Sequence, residues 1–324
     1  MIDEALLETL QGGAWCSGAE IGTRIGVSRT AVWKKIEALR ERGYSIEAMA
    51  GRGYRLLGGP DRLLPTEVRR HLTAKRLGMD IVHREEVDST NRLAGELARG
   101  GAPEGTVVVA EAQTAGRGRL GREWTSPSNL NLYLSVVLRP PVAPVDVTSL
   151  SLVAAIAVAE AILSTTDLRS GIKWPNDVLL GQRKVCGILT EMDAESDRVR
   201  FLVLGIGVNL NATARDFPPE LRRKASSLRI ATRRRIDRAA FTGALLNELE
   251  VVYDQFVAGG FPAVQKAYEA YHCLPGRRVR VEGAGNPRGV VRGVAPDGAL
   301  LVETADGVVR VSSGEVTLRG TYRS

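Results

Sequence analysis

The chain has 324 residues, 44% apolar and 25% charged, the balance of a globular protein with room for two or three domains. Its 44 Lys and Arg against 37 Asp and Glu leave a formal net charge of +7, compatible with nucleic acid or an acidic protein partner and diagnostic of neither. Three cysteines, Cys16, Cys186 and Cys273, lie far apart with no CxxC pair, so neither a disulfide framework nor a zinc site is legible, which favours a reducing cytoplasm.

The start, Met1-Ile2-Asp3-Glu4, has no basic n-region, so no signal peptide is expected. The spacing then predicts a short helix from Glu4 to Leu10 and a second from Gly18 to Ile25, capped by Ser17. Gly26-Val27 makes a tight turn, and Ser28 caps a third helix from Arg29 to Arg42. In it Val32, Ile36 and Leu39 recur at i, i+4 and i+7 and form the buried stripe, leaving Arg29, Thr30, Trp33 and Lys34 off it. Two short strands, around Ser45-Glu47 and Gly53-Leu56, are joined by Met49-Ala50-Gly51-Arg52. This order is the outline of a winged helix-turn-helix over residues 1–61. From Arg24 to Arg55 eight basic residues stand against three acidic ones. Ser28, Arg29, Thr30, Trp33 and Lys34 are the candidates for reading DNA, with Arg52 at the hairpin tip, where a wing meets phosphate. The plainer account is a helical dimerisation or regulatory domain with a solvated basic face.

Residues 62–273 alternate strands and helices. Strands are expected at Gly78 to Glu86, Thr106 to Gln113, Asn131 to Leu138 with alternating side chains, Gly171 to Trp174, Asp177 to Leu180, Arg183 to Asp193 and Val199 to Asn209. Ser89 caps a helix starting near Thr90; Leu150 to Leu163 reads as a buried helix, too short and interrupted to span a bilayer. Asp237 to Ala258 and Pro262 to Tyr271 are helices, and Ala212 to Lys224 fits only a ligand-ordered loop. Hairpin-length connections argue for a mixed or antiparallel sheet backed by helices. Residues 274–324 read as strands only, with turns at Leu274-Pro275-Gly276, Gly283-Ala284-Gly285-Asn286-Pro287, Pro296-Asp297-Gly298 and Asp306-Gly307. The fold class is thus α+β.

The chemistry concentrates in residues 116–122, which pack Gly116, Gly118 and Gly121 among Arg117, Arg119 and Arg122. Glycine lets backbone N–H groups approach a ligand closely, and arginine offers a planar charged fork for a carboxylate or phosphate. The glycines fit G-x-G-x-x-G, but that dinucleotide fingerprint must open a helix. Here Trp124-Thr125-Ser126-Pro127 follows, and no acidic residue stands near Arg139-Pro140-Pro141. Around the loop lie Asp88-Ser89-Thr90-Asn91, Gln113, Lys173-Trp174-Pro175-Asn176-Asp177, Lys184 and Asn209. Singly, each has a plain account as cap, turn or strand end. Together they offer neutral polar groups for a polar head, cations for a carboxylate and phosphates, an aromatic in Trp124, and a carboxylate in Asp177 for a metal or a base.

The strings GRGRLGREWTSPSNLNLYLS, KWPNDVLL, RKVCGILTE and GIGVNLN, with DSTN upstream, resemble the biotin protein ligases of the bifunctional bacterial type, the biotin operon repressors. The resemblance covers nearly the whole chain. It implies a central sheet related to class II aminoacyl-tRNA synthetases and an SH3-like β-barrel at the C-terminus. It implies that biotin and ATP give biotinyl-5′-AMP, and that biotin then passes to a lysine of the biotin carboxyl carrier protein of acetyl-CoA carboxylase. Ser89, Thr90, Asn91 and Gln113 would hold biotin, with Gly116, Arg117, Gly118 and Arg119 closing over it. Lys184 would neutralise the reacting carboxylate and phosphate. Arg119, Arg122, Trp124, Lys173, Asn176, Asp177 and Asn209 would serve the adenylate and phosphates, with Asp177 on Mg²⁺ and no tightly bound metal. Lys184, Arg119 and Asp177 are the catalytic candidates. Operator DNA and a ligand-promoted homodimer complete the expectation, with no membrane partner. The rival readings are a biotin-sensing repressor without ligase activity, a lipoate–protein ligase and a synthetase-like protein that charges tRNA.

Overall fold

The structure, a computed structural model, describes residues 2–10, 12–195, 198–283 and 285–318. At the front lie α1 (Ile2–Thr9), α2 (Gly18–Ile25), α3 (Arg29–Glu41), β1 (Ser45–Met49) and β2 (Gly53–Gly58). Ser17 and Glu20 form a reciprocal capping box at α2, and Ser28 Oγ accepts from the Ala31 N–H at α3. Between them Gly26, at φ 70°, ends α2. The turn is tight: a Cβ on Gly22 would sit 2.6 Å from the Val27 carbonyl oxygen. Leu6, Leu10, Ile21, Val32, Ile36, Leu39 and Leu56 close a small core of their own.

The middle of the chain adds α4 (Pro65–Arg69), β3 (Ile81–Val87), α5 (Thr90–Arg99), β4 (Val107–Gln113), β5 (Leu132–Leu138), α6 (Leu150–Thr166), β6 (Gly171–Lys173), β7 (Asp177–Leu180), β8 (Arg183–Glu195), β9 (Arg198–Val208), α7 (Leu228–Thr232) and α8 (Arg238–Tyr271). The seven strands order as β3-β4-β5-β9-β8-β7-β6. Only β3 and β4 run parallel, so the sheet is mixed, as the short connections imply. Helix α5 covers one face through Ala94 and Ala98 against Val108, Val137 and Val203. Helices α6 and α8 pack on the other face.

This two-sided cover corrects one expectation. Strand β5 is buried at every residue, with no alternation, because helices lie on both faces. The two helices expected on either side of residue 260 are found: the run α8 is broken at Gly260 (φ 66°), just before Pro262, into two helical segments. The five-residue helices α4 and α7 are too short to show a period in sequence. Residues 212–224 carry no helix or strand and are folded in turns.

At the end come β10 (Arg278–Glu282), β11 (Arg288–Val294), β12 (Leu300–Thr304), β13 (Gly307–Val311) and β14 (Glu315–Leu318). They form an antiparallel sheet ordered β13-β12-β11-β10-β14; among the described residues β13 and β14 do not pair, so the sheet is open there. Ala284 of the expected turn and residues 319–324 lie outside the described residues. Val279, Val281, Val291, Leu300 and Val302 join the same apolar core as α6 and α8, and the Trp174 indole N–H donates to the Gly298 carbonyl at 3.0 Å.

Candidate active site and nucleic-acid face

A groove opens over the middle of the large sheet. It is lined by Ser89, Thr90 and Asn91 at the start of α5, Gln113 at the end of β4, residues of the glycine–arginine loop, and the facing stretches of β8 and β9. Its neutral end is built on local geometry. Ser89 stands at the N-cap of α5, yet its hydroxyl does not cap the helix. The Thr90 N–H and hydroxyl both donate to Gln113 Oε1, at 2.9 and 3.1 Å, and Gln113 Nε2 donates to Ser126 Oγ. The cap expectation for Ser89 is thereby corrected: Gln113 serves the helix terminus, and Ser89 is left to line the groove. Asn91 Nδ2 donates to Glu191 at 2.7 Å, and Ser135 Oγ lies 2.6 Å from Asn91 Oδ1. Asn91 fits because its neighbour on β9 is Gly205, where a Cβ would come within 2.1 Å of Asn91 Oδ1.

The floor is glycine. Gly187 of β8 and Gly207 of β9 are partners in register, and the Trp124 indole lies on both. A Cβ would meet that ring at 3.0 Å from Gly187 and 2.7 Å from Gly207. Strand glycines of this kind mark close approach of a ring or ligand. The buried Trp124 Nε1–H has no hydrogen-bond partner among the described residues.

The charged end collects cations over a single carboxylate. Lys184 Nζ lies 2.6 Å from Asp177 Oδ1 and 5.3 Å from the centre of the Trp124 ring. Arg119 Nη1 donates to Asn176 Oδ1 at 3.3 Å, and Asn176 Nδ2 donates to the Ile188 carbonyl. Burial lowers the Arg119 pKa from its usual value, against the opposing pull of Asp177 and Glu315. The loop itself is a narrow turn. Gly118 N–H donates to the Arg122 carbonyl, Trp124 N–H donates to the Gly116 carbonyl, and Leu120 stands exposed at φ 56°. A Cβ on Gly116 would lie 2.5 Å from the Trp124 carbonyl oxygen, so only glycine closes the loop's base.

Not every expected residue reaches the groove. Ser89, Thr90, Asn91, Gln113, Arg117, Gly118, Arg119, Trp124, Asn176 and Lys184 line it, whereas Gly116 sits behind and Asp177 touches it through Lys184. Lys173 is not among its walls. Arg122 points outward into a two-point ion pair with Glu315 of β14. Asn209 is buried and donates to the Ser226 carbonyl at 3.1 Å, tying the end of β9 to the following segment. Tyr133, Leu134, Gly187, Ile188, Leu189, Gly205, Ile206 and Gly207 also line the groove; they lie within the motif strings but are not among the expected site residues. The repeat Gly205-Ile206-Gly207 inside an apolar strand was the available signal. Among the described residues no three His, Cys, Asp or Glu side chains gather as a metal cage, and no helix is long and apolar enough to cross a membrane.

On the front domain, Arg29, Thr30, Trp33 and Lys34 are exposed along the first turns of α3. Ser28 is engaged at the cap, and Arg52 is exposed in the turn between β1 and β2. That is the geometry of a recognition helix with a wing beside it.

Comparison with known proteins agrees with this geometry. The Biotin/lipoate A/B protein ligase family matches residues 84–209, an HTH domain family residues 4–55, and the Biotin protein ligase C terminal domain residues 276–319. The chain is 40% identical over 308 residues to the bifunctional ligase/repressor BirA of Bacillus subtilis (strain 168), covering 95% of each. It is 32% identical over 324 residues to the bifunctional ligase/repressor BirA of Escherichia coli (strain K12), covering 98% of this chain and 97% of that one. The solved biotin protein ligase from Aquifex aeolicus in complex with biotin and ATP is 32% identical, with a TM-score of 0.65 over 74% of this chain and 99% of its own.

Proposed function

This chain belongs to the family of bifunctional biotin protein ligases and repressors, and from that premise we propose how its own residues carry out the two activities. As a ligase it joins biotin to ATP and passes the biotin on. A carboxylate is a poor electrophile because its leaving group would be oxide. Attack of a biotin carboxylate oxygen on the α-phosphate of ATP forms biotinyl-5′-AMP and expels pyrophosphate, and AMP is then a good leaving group. Ser89, Thr90 and Gln113 hold the polar head, Asn91 shapes the wall behind them, and the apolar tail runs over the glycine floor. Arg117, Arg119 and Lys184 meet the carboxylate and phosphate, where fixed positive charge offsets the approach of two anions. Gly116 and Gly118 let the loop backbone close, and the indole N–H of Trp124 offers a donor to the adenylate.

Asn176 steadies Arg119 at the phosphates. Asp177 is the carboxylate that would hold a magnesium ion arriving on ATP, a cation that takes one or two protein carboxylates and fills its shell with phosphate and water. Bound there, the ion would neutralise phosphate charge. Lys173 and Arg122 extend the phosphate side in this reading, and Arg122 must leave Glu315 to do so. Asn209 acts indirectly, by fixing the segment at Ser226. In the second step a carrier lysine attacks the acyl carbon of biotinyl-AMP and releases AMP. Its ammonium must first lose a proton, for which Asp177, held beside Lys184, is the carboxylate assigned here.

The repressor half rests on the basic face of α3 with Arg52, and on pairing of two copies. Strand β7 pairs only as far as Gly187 of β8, so β8 from residue 189 to 195 offers an open edge of the kind that accepts a second strand. In the same reading the partners are the biotin carboxyl carrier protein and a two-fold operator, the setting is the cytoplasm, residues 1–61, 62–273 and 274–324 are the three domains, the central sheet is of the class II synthetase type, and the C-terminal sheet is an SH3-like barrel.

The glycine floor between a neutral polar end and a cationic end carries the ligase reading. ATP–pyrophosphate exchange with biotin, lipoate and amino acids in parallel tests it. Exchange with biotin alone is expected; exchange driven by lipoate or an amino acid would replace the assignment, and none with any acid would leave a sensor.

A further inference from the structure

Among the described residues the winged helix shares no apolar core with the rest of the chain. Its own cluster closes on itself, and the large core begins at Leu63. What joins the two is polar and compact. Tyr44, just past α3, donates its hydroxyl to Glu67 Oε1 at 2.7 Å, and Arg70 donates to Glu67 Oε2 at 2.9 Å. The Glu67 carboxylate is buried, and the connecting chain presses on it: a Cβ on Gly59 would lie 2.4 Å from Glu67 Oε2. Burial and that carboxylate push the Tyr44 phenol up to about 12, so it stays a donor.

Two residues further on the chain is gripped again. Asp61 Oδ1 accepts from Arg238 Nε at 2.8 Å, Oδ2 accepts from Arg235 at 2.5 and 3.0 Å, and the Asp61 carbonyl accepts from Arg238 Nη2. Arg238, the first residue of α8, is fully buried and also donates to Glu111 Oε2 on β4 at 2.8 Å. Glu111 in turn accepts from the Leu63 N–H at 2.8 Å and lies 3.0 Å from His83 Nε2. Burial would raise the Glu111 pKa, but His83, Arg238 and the Leu63 N–H outweigh it and hold the carboxyl down to about 2. An exposed pair such as Arg235–Asp61 contributes little alone. An enclosed guanidinium fixed to the sheet on one side and to the connector on the other is a rigid anchor.

A module with its own core and no apolar seam turns freely on its tether unless the tether is held. Here it is held at both ends, within the span from Tyr44 to Leu63. On a two-fold DNA site, the angle of each recognition helix relative to the body sets the distance between half-sites. We infer that the Tyr44–Glu67 hydrogen bond and the Arg235–Asp61–Arg238 grip are positioning contacts that set the half-site spacing this protein accepts. The inference rests on the repressor reading above.

The test uses the full-length protein with biotin and ATP. Duplexes are enriched by it from a random library, and the two halves of the winning two-fold sequence are then respaced by one and two base pairs either way. Each added base pair also turns one half-site by about 34°. The wild-type affinity should peak sharply at one spacing. Tyr44→Phe with Asp61→Asn should lower the peak by about tenfold, part of the roughly 10²–10⁴ that joining two modules in register supplies, and flatten the profile. Sedimentation of the dimer and biotin-dependent pyrophosphate exchange should stay at wild-type values. Tyr44→Phe alone, which deletes one oxygen atom, should flatten the profile in the same sense and carries the test if the double variant does not fold. A variant profile parallel to the wild-type one, whether or not it is lowered, overturns the inference. Failure of the wild type to enrich any two-fold sequence overturns the repressor reading and this inference with it.

Discussion

Lys184 Nζ and Asp177 Oδ1 face each other at 2.6 Å across the β7–β8 hairpin, so the one carboxylate at the charged end of the groove is held by the cation beside it. The pair is partly open to solvent, with side-chain exposures of 32% and 20%. Its contribution to stability is therefore small, about 0–1 kcal/mol. Its weight falls on ligand charge instead.

Lys184→Ala should leave the thermal midpoint close to wild type and lower biotin-dependent ATP–pyrophosphate exchange by about 10²–10³. Exchange at the wild-type rate would remove Lys184 from the first step.

Asp177→Asn separates two roles. If the carboxylate accepts the proton of the incoming lysine, single-turnover transfer from preformed biotinyl-AMP to the carrier should slow by about 10²–10⁴, the span of general-base effects. A defect confined to adenylate formation would leave Asp177 only its place beside the phosphates.

Gly207→Ala puts a methyl group where the Trp124 indole now lies, 2.7 Å away. Overpacking of this kind costs about 1–3 kcal/mol. Calorimetry should show that loss, and the KM for biotin should rise at least tenfold while the pyrophosphate-exchange rate at saturating biotin changes less. A wild-type KM would mean the indole has room to shift.

His272 gives the fold an acid limit. Its ring is buried on Tyr268, neither nitrogen has a hydrogen-bond partner among the described residues, and burial pulls its pKa down to about 4. The unfolded chain, near 6.5, takes up the proton first. Stability is thus complete above about 6.5 and falls as pH drops toward 4, by about 3 kcal/mol in all. His272→Leu should abolish that slope in denaturant titrations between pH 7 and 4. An unchanged slope would assign the acid sensitivity elsewhere.

Arg29→Ala should weaken operator binding by about 1–3 kcal/mol per half-site and leave biotin transfer untouched. Gel-shift and carrier biotinylation on the same preparation check both halves. Loss of transfer together with DNA binding would point to a folding defect.

Legibility in the sequence followed the range of the interactions. The caps at Ser17 and Ser28 act within three residues, and the helices they start begin at the expected residues, Gly18 and Arg29. The same holds for β7, bounded by its own turns. The glycine–arginine loop announced itself because its charges and glycines are contiguous. The groove floor did not, because Gly187 and Gly207 lie far apart in sequence and meet only through the β8–β9 register. Arg122 is legible as a charge of the loop, but its ion-pair partner Glu315 sits on β14, which no local pattern could join to it. Asn209 is singled out in sequence because it ends an apolar strand; that its amide donates to the Ser226 carbonyl, 17 residues on, is visible only in the fold.

The two ends of the chain differ in how they are attached, and this bears on descent. The last five strands lend valines and leucines to the central core, so removing them would expose it to water and unfold the enzyme. The front module closes its own core and rests on a phenol, a carboxylate and a gripped connector. A deletion ending just before Asp61 would cost the catalytic body the Tyr44 hydrogen bond to Glu67 but leave its large core, which begins at Leu63, intact. Gene control can therefore be lost or regained by recombination at one joint while biotin attachment persists, whereas the tail must be inherited with the enzyme.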